Sequence, residues 1–340
     1  MRSPKFRNDE SAVSPIISAI LLLTIMLITV GSIMGWAIPR ITQMENDAQY
    51  EGVYSGFEIF DSRVDDVIYG SPGTTRSTGL AVGGGDIFLE HSNGYILVYW
   101  SLIPDNVTVS DVDSVDGGFK FVFDERPGDN LTANITGTGG RGSFPCNAST
   151  YDLFTSNSIV GKVEPGFKFG DLQHVRIHNH TEDLAEIYYF KVNVMEHQMP
   201  TSDGYYEIKW VNGAIITNRG SSIGAVSGTP YIYPKDDAIF MNIIDLKANG
   251  SNGFVSAGKG SYSVIIKNAG VESLATKSVY GIRMSYHTEY TKGWNIYYIN
   301  HRGFISVKDS AYKTIALGYN PGSFTDLNLI RTSIEVTGVT

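Results

Sequence analysis

Three histidines, His174, His178 and His180, lie close together in a stretch rich in β-branched and aromatic residues. If Arg176 to His180 is extended, His178 and His180 share one face, the arrangement in which two imidazoles hold one metal ion. No acid or cysteine cluster at a familiar spacing completes a tetrahedral set, so a solvated strand face is the reading carried forward. Asp111, Asp113 and Asp116, followed by Gly117, resemble a calcium loop. One extra residue breaks the usual register and no glutamate stands at the closing position, so an acidic turn is preferred. Gly83 to Gly85 is followed by neither a lysine-serine pair nor a helix, which removes the phosphate-loop reading.

Other chemistry is equally sparse. The sequence has no Gly-x-Ser-x-Gly elbow, and its single cysteine, Cys146, has no nearby histidine to activate it. Asp124 and Glu125 are neighbours, and on a strand neighbours point to opposite faces, so they make no acid-base pair. The expectation is a structural or interaction protein, not an enzyme, with no catalytic residues, no cofactor and no resident metal.

The element that governs the rest is Val13 to Ile38, which contains no charged side chain. As a helix, Ile16 to Ile38 is about 35 Å long and matches a hydrocarbon core of about 30 Å. Its only polar positions are small: Ser18, Thr24, Thr29 and Ser32. Arg2, Lys5 and Arg7 precede the run and Arg40 follows it immediately, a modest bias that favours a cytoplasmic N-terminus and an exported remainder. A cleavable secretory signal has an apolar region of about 7–15 residues ending in a small-x-small site, which Trp36 to Arg40 does not supply. An anchor is expected, with Trp36 at the interface. Gly31 and Gly35 form a G-x-x-x-G pair that lets a second helix approach closely.

The chain has 340 residues, a net charge of -9 and 18% charged residues. That balance offers no basic stripe for nucleic acid. With one cysteine there is no internal disulfide, so an exported head depends on its core. Asn-x-Ser/Thr triplets begin at Asn106, Asn130, Asn134, Asn147, Asn179 and Asn249, and they are candidate N-glycosylation acceptors on an exported surface.

Five segments are expected. Residues 1–12 form a leader or cytoplasmic tail, 13–39 the membrane helix and 40–70 an amphipathic stem, with a kink at Pro39 and a stop at Gly70. Ile41, Met44 and Ala48, then Val53, Phe57, Phe60, Val64 and Val67, recur at three- and four-residue steps as a seat for the protein's own head, while Glu45, Asp47, Glu51, Asp61 and Asp65 take other faces. Residues 71–150 and 151–340 read as a first and a second β region, mainly antiparallel and sandwich-like, in one or two units. Ser71-Pro72-Gly73 is a turn. Asn93-Gly94 and Asn212-Gly213 are hairpin signals, the first joining Asp86–Glu90 to Tyr95–Trp100. Residues 126–149 read as a long loop or weak edge strands. Single strands are expected over Glu186–Glu196, Gly260–Lys267 and Tyr280–Tyr286, and a strand or some helix within 288–300.

At Ser11-Ala12-Val13-Ser14-Pro15-Ile16-Ile17, followed by the long apolar helix, the chain resembles the archaeal type IV pilin N-terminal domain, a charged leader and a VSPVIG-like helix start. Phe57-x-x-x-Asp61-Ser62-Arg63, Gly70-Ser-Pro-Gly-Thr-Thr-Arg76 and Trp210-Val-Asn-Gly213-Ala-Ile-Ile are similar to a group of archaeal pilin-like surface proteins with β-rich heads. The resemblance implies cleavage between Ala12 and Val13 by a prepilin-type peptidase, contact with membrane lipid and the pilus assembly machinery, and self-assembly through the N-terminal helix. It implies a single-pass protein with an extracellular head that adheres or decorates a filament. The alternatives are a permanently anchored β-sandwich receptor or ligand-binding module, and an exported hydrolase.

Overall fold

The computed structural model describes residues 10–90, 94–102, 109–115, 118–123, 131–137, 142–146, 158–162, 171–180, 182–201, 204–219, 225–235, 237–249, 255–257, 260–287, 297–298, 314–316 and 324–339. One long helix, α1 (Glu10–Ile68), precedes every strand. The first strands are β1 (Thr75–Val82), β2 (Asp86–Glu90), β3 (Tyr95–Ser101), β4 (Val109–Val115), β5 (Gly118–Phe123), β6 (Leu131–Gly137) and β7 (Gly142–Cys146). Next come β8 (Ser158–Lys162), β9 (Leu172–His178), β10 (Asp183–Lys191), β11 (Val194–Thr201), β12 (Gly204–Val211) and β13 (Ala214–Arg219). The last are β14 (Ala225–Gly228), β15 (Ile232–Lys235), β16 (Ala238–Ala248), β17 (Val255–Ala257), β18 (Gly260–His287), β19 (Thr314–Ala316) and β20 (Phe324–Val339).

The chain forms two compact units that divide between Glu51 and Gly52, within α1. In the first, α1 is apolar on every face from Ile16 to Ile38, and its most apolar window is wholly unburied. It is long and apolar enough to cross a membrane. Pro15 and Pro39 lie inside it without ending it. The helix continues from the expected membrane segment into the expected stem, because Pro39 removes a single donor while the turns on either side keep theirs.

The second unit is a β head carrying the end of the helix. An 11-stranded sheet runs β15-β16-β20-β18-β3-β10-β9-β6-β7, with β1 and β19 also on β18. A 6-stranded sheet runs β14-β13-β12-β11-β2-β17, and a 3-stranded one β4-β5-β8. Among the described residues pairing is antiparallel apart from the parallel β16–β20 pair. Inward residues of the two larger sheets share one core: Val98, Trp100, Phe190, Ile243, Met284 and Leu329 from one, Val194, Val211, Ala214 and Ile216 from the other. This is the expected mainly antiparallel, sandwich-like head behind an apolar helix.

Several local expectations change. Strands β2 and β3 are not a hairpin: β2 pairs with β11 and β17, β3 with β10 and β18. Residues 96–100 of β3 are buried on both faces, so this strand needs a partner on each edge and a layer on each side, which a two-stranded hairpin does not supply. The strand expected over Glu186–Glu196 divides at Val192-Asn193 into β10 and β11, one in each large sheet. Phe190, Val192 and Val194 all belong to the shared core, so the chain turns the corner between sheets with the same face inward. Asn193 Nδ2 fixes the corner by donating to the Leu246 carbonyl at 2.5 Å. The strands expected over Gly260–Lys267 and Tyr280–Tyr286 are instead one 28-residue strand, β18, whose pairing with β20 shifts register at Asn268/Gly270 and Ser273/Ala275. Such bulges let a long strand follow the twist of its sheet.

Strands from either side of residue 150 interleave in the large sheet, where β6 pairs with β9 and β3 with β10 and β18. Within 126–149, β6 is an interior strand and β7 an edge. Only Tyr297–Tyr298, which are helical, fall inside the described part of 288–300. The Asn212-Gly213 hairpin is as expected: it joins β12 to β13 with positive φ at both residues, 49° and 83°. So is the Ser71-Pro72-Gly73 turn, closed by Thr74 N–H donating to the Ser71 carbonyl at 2.9 Å, with Gly73 at φ 93°.

Candidate functional site: the apolar helix and the stem seat

Along the apolar part of α1 the two threonine side chains are satisfied by the helix itself. Thr24 Oγ1 donates to the Ile20 carbonyl at 2.8 Å and Thr29 Oγ1 to the Ile25 carbonyl at 2.5 Å. Both threonine hydroxyls then have partners within the helix, which lowers the cost of placing them in hydrocarbon. Trp36 is 70% exposed, and a Cβ added at Gly31 or Gly35 meets nothing within 4 Å. Ala12 and Val13 lie in the first turn of α1, and their side chains are outside the described set.

The last five turns of α1, from Gly52 onward, are amphipathic and seated in the head. Val53, Phe57, Phe60, Val64 and Val67 are all buried, whereas Ile41, Met44 and Ala48 of the expected stripe are exposed. Phe60 meets Trp210 of β12 edge-on, with centroids 5.5 Å apart. Beside this apolar stripe runs a polar one. The Tyr54 hydroxyl lies 2.9 Å from Ser227 Oγ of β14, Trp210 Nε1 donates to Asp61 Oδ1 at 2.6 Å, and the Tyr231 hydroxyl donates to Asp65 Oδ1 at 2.6 Å.

The helix end is held by β18. Asn268, fully buried, donates Nδ2 to the Val67 carbonyl at 3.1 Å and faces the Gly70 carbonyl at 3.4 Å, satisfying acceptors that a helix terminus leaves open. Gly70 follows the last turn as expected, for a reason of space: a Cβ there would lie 2.5–2.8 Å from the Thr74 side chain.

Burial is the largest influence on the Asp61 carboxyl and raises it. The Trp210 hydrogen bond opposes this, the charges of Asp65 and Glu58 add to it, and the result is a carboxyl pushed up to about 7. The Tyr231 hydroxyl is driven upward too, first by burial and then by Asp61 and Asp65.

A second polar centre lies within the large sheet. Glu186 of β10 is almost fully buried and receives Trp100 Nε1 at 3.2 Å and Lys277 Nζ at 2.6 Å, with Arg176 Nε at 3.5 Å and His174 Nε2 at 3.6 Å. His174 stacks on Tyr188 with centroids 4.3 Å apart. Burial pushes the Glu186 carboxyl up, and the opposed bonds and charges of His174 and Lys277 outweigh it, leaving it at about 2.

The residues singled out from the sequence are dispersed. His178 is half-buried with both ring nitrogens occupied: Nε2 accepts from the Asn134 amide at 2.9 Å and Nδ1 donates to the Asn179 carbonyl at 3.1 Å. His180 is exposed. Among the described residues, no group of three histidines, cysteines or acids is arranged to hold a metal. Asp111 and Asp113 fall on β4, opposite Val122 and Lys120 of β5, so their backbone is strand and not a calcium loop or an acidic turn. Asp116 lies outside the described residues, as do Asn106, Asn130 and Asn147. Of the remaining triplets, Asn134 sits inside β6 with its amide on His178, Asn179 Oδ1 accepts the Glu182 amide at 2.9 Å, and Asn249 is exposed after β16.

Sequence reasoning placed Asp61 and Asp65 off the buried stripe, met Trp210 only within a motif of resemblance and gave Tyr231, Asn268 and Glu186 no role. The signal present for the first two was their four-residue spacing beside Phe57 and Phe60, which puts them on one face at the border of the seat. Comparison with known proteins found no matching family model, no matching curated protein and no matching solved structure.

Proposed function

We propose that this chain is a pilin-like, single-pass surface protein whose N-terminal helix anchors and assembles it, and whose β head faces outward as a structural, adhesive or filament-decorating element. The observation that carries this reading is that α1 is apolar and open to its surroundings over Ile16 to Ile38, with both of its threonine hydroxyls bonded within the helix, and ends as a stem locked into a large head. An all-apolar helix is stable in lipid or among copies of itself, which suits passage from a bilayer to a filament core. The Val13-Ser14-Pro15 start supports cleavage after Ala12 on the cytoplasmic side.

N-terminal sequencing of membrane and sheared-filament fractions tests it. A mature start at Val13 in filaments is expected. An intact Met1 confined to membranes would instead favour a permanently anchored receptor or ligand-binding module, a reading supported by Ser11 standing where pilin leaders carry a charged residue.

A further inference from the structure

The stem seat contains an unusual pairing of charge and donor. Asp61 and Asp65 stand one helical turn apart on the same face. Each is bonded to a neutral donor of the head, the Trp210 indole and the Tyr231 phenol. Among the described residues neither makes an ion pair: Arg63 and Arg76 both engage Asp66, at 3.1 and 3.6 Å. The other groups acting here are acidic or phenolic, namely Glu58 and Tyr69 on the helix side and Tyr231 and Tyr233 on the head side. Two neighbouring carboxylates, both half-buried against neutral donors and without a cation paired to either among the described residues, disfavour the state in which both are charged.

We propose that seating the stem on the head takes up a proton at Asp61, so that acid tightens this clasp and alkali loosens it. The proton comes from solvent and returns to it when the stem lifts away, and no covalent bond changes. Its direction follows from the local chemistry. Burial holds the Asp61 carboxyl at about 7 when seated, against an ordinary 3.8 when the helix is free in water. The favourable contribution is therefore complete at pH values below 3.8 and is lost progressively as pH rises toward 7. Lifting the stem would free Trp210 and Tyr231 together with the apolar stripe of the helix, so the clasp links local pH to how firmly the head holds its own stalk. The inference concerns the head and its stem alone and stands whether or not the chain forms filaments.

The test is hydrogen exchange of amides 53–67 in the full chain held in detergent micelles, from pH 5 to pH 8, corrected for the intrinsic rate. In the wild type, protection is expected to fall about ten-fold or more across this range. Asp61→Asn keeps an oxygen for the Trp210 N–H and carries no ionisable proton, and its protection is expected to be flat with pH. A flat wild-type profile, or an Asp61→Asn profile as steep as the wild type, overturns the proposal. Should that variant fail to fold, the tryptophan fluorescence of the wild type against Trp210→Phe decides: a difference signal titrating near pH 7 supports the proton on Asp61, and one titrating below pH 5 overturns it.

Discussion

The rings of Phe60 and Trp210 meet at 86° between planes, while the next residue in the helix, Asp61, accepts a hydrogen bond from the N–H of the same indole. One tryptophan of the head thus receives an apolar and a polar contact from consecutive stem residues, and both require the same position of the helix about its axis.

That relationship makes Phe60 the residue on which the seat depends most. Phe60→Ala removes a fully buried aromatic ring at a site the adjacent bond to Asp61 keeps from collapsing. The expected cost is about 3–5 kcal/mol of head stability, read from denaturant unfolding of the full chain in detergent. A loss of less than about 1 kcal/mol would mean that the stem is not part of the folded head.

Asn268 closes the helix from a strand two hundred residues away in sequence. Asn268→Ala leaves the Val67 and Gly70 carbonyls without this donor and is expected to cost about 1–3 kcal/mol. Faster exchange should appear in the last turn of α1 and at Gly73, whose N–H donates to the Asn268 carbonyl at 2.8 Å.

Glu186 gives an acid-side prediction of opposite sign to that for Asp61. Its folded carboxyl sits at about 2, below the ordinary 4.5, so its contribution is present above pH 4.5 and is lost as pH falls from there toward 2. The contribution is about 3 kcal/mol for so buried a group. Glu186→Gln should remove this limb of the stability-pH curve and leave Lys277 without its 2.6 Å partner.

Gly213 couples the β12–β13 turn to the stem. At φ 83° a side chain is strained, and a Cβ would stand 2.7 Å from the ring of Tyr231, the residue that holds Asp65. Gly213→Ala is expected to cost more than the roughly 1–2 kcal/mol of a left-handed backbone, and to loosen amides near Asp65 as well as in the turn. Loss confined to the turn would show that Tyr231 moves aside freely.

The helix and the β character of the head were readable in the sequence because periodicity reports burial directly. Val13 to Ile38 lacks charge, and Val53, Phe57, Phe60, Val64 and Val67 keep the spacing of one buried face. Asn212-Gly213 was readable because a two-residue turn is a local event. Asn93-Gly94 carried the same dipeptide and misled, since pairing is decided by which strands need partners: β3, buried on both faces over 96–100, takes its neighbours from β10 and β18. The corner at Val192-Asn193 left no break in hydrophobicity because the same face stays inward across it. The polar stripe of the seat was hidden for a related reason, as Asp61 and Asp65 look like solvated helix positions until Trp210 and Tyr231 arrive from remote strands.

The central claim is that the apolar helix holds the chain in a membrane with the β head outside. Protease added to intact cells carrying a tag at Thr340 tests it most directly. The account predicts that the tag is lost from whole cells while an N-terminal fragment containing Ile16 to Ile38 stays in the membrane pellet. A tag protected until the cells are lysed, or a full-length product in the supernatant of detergent-free lysate, would contradict it.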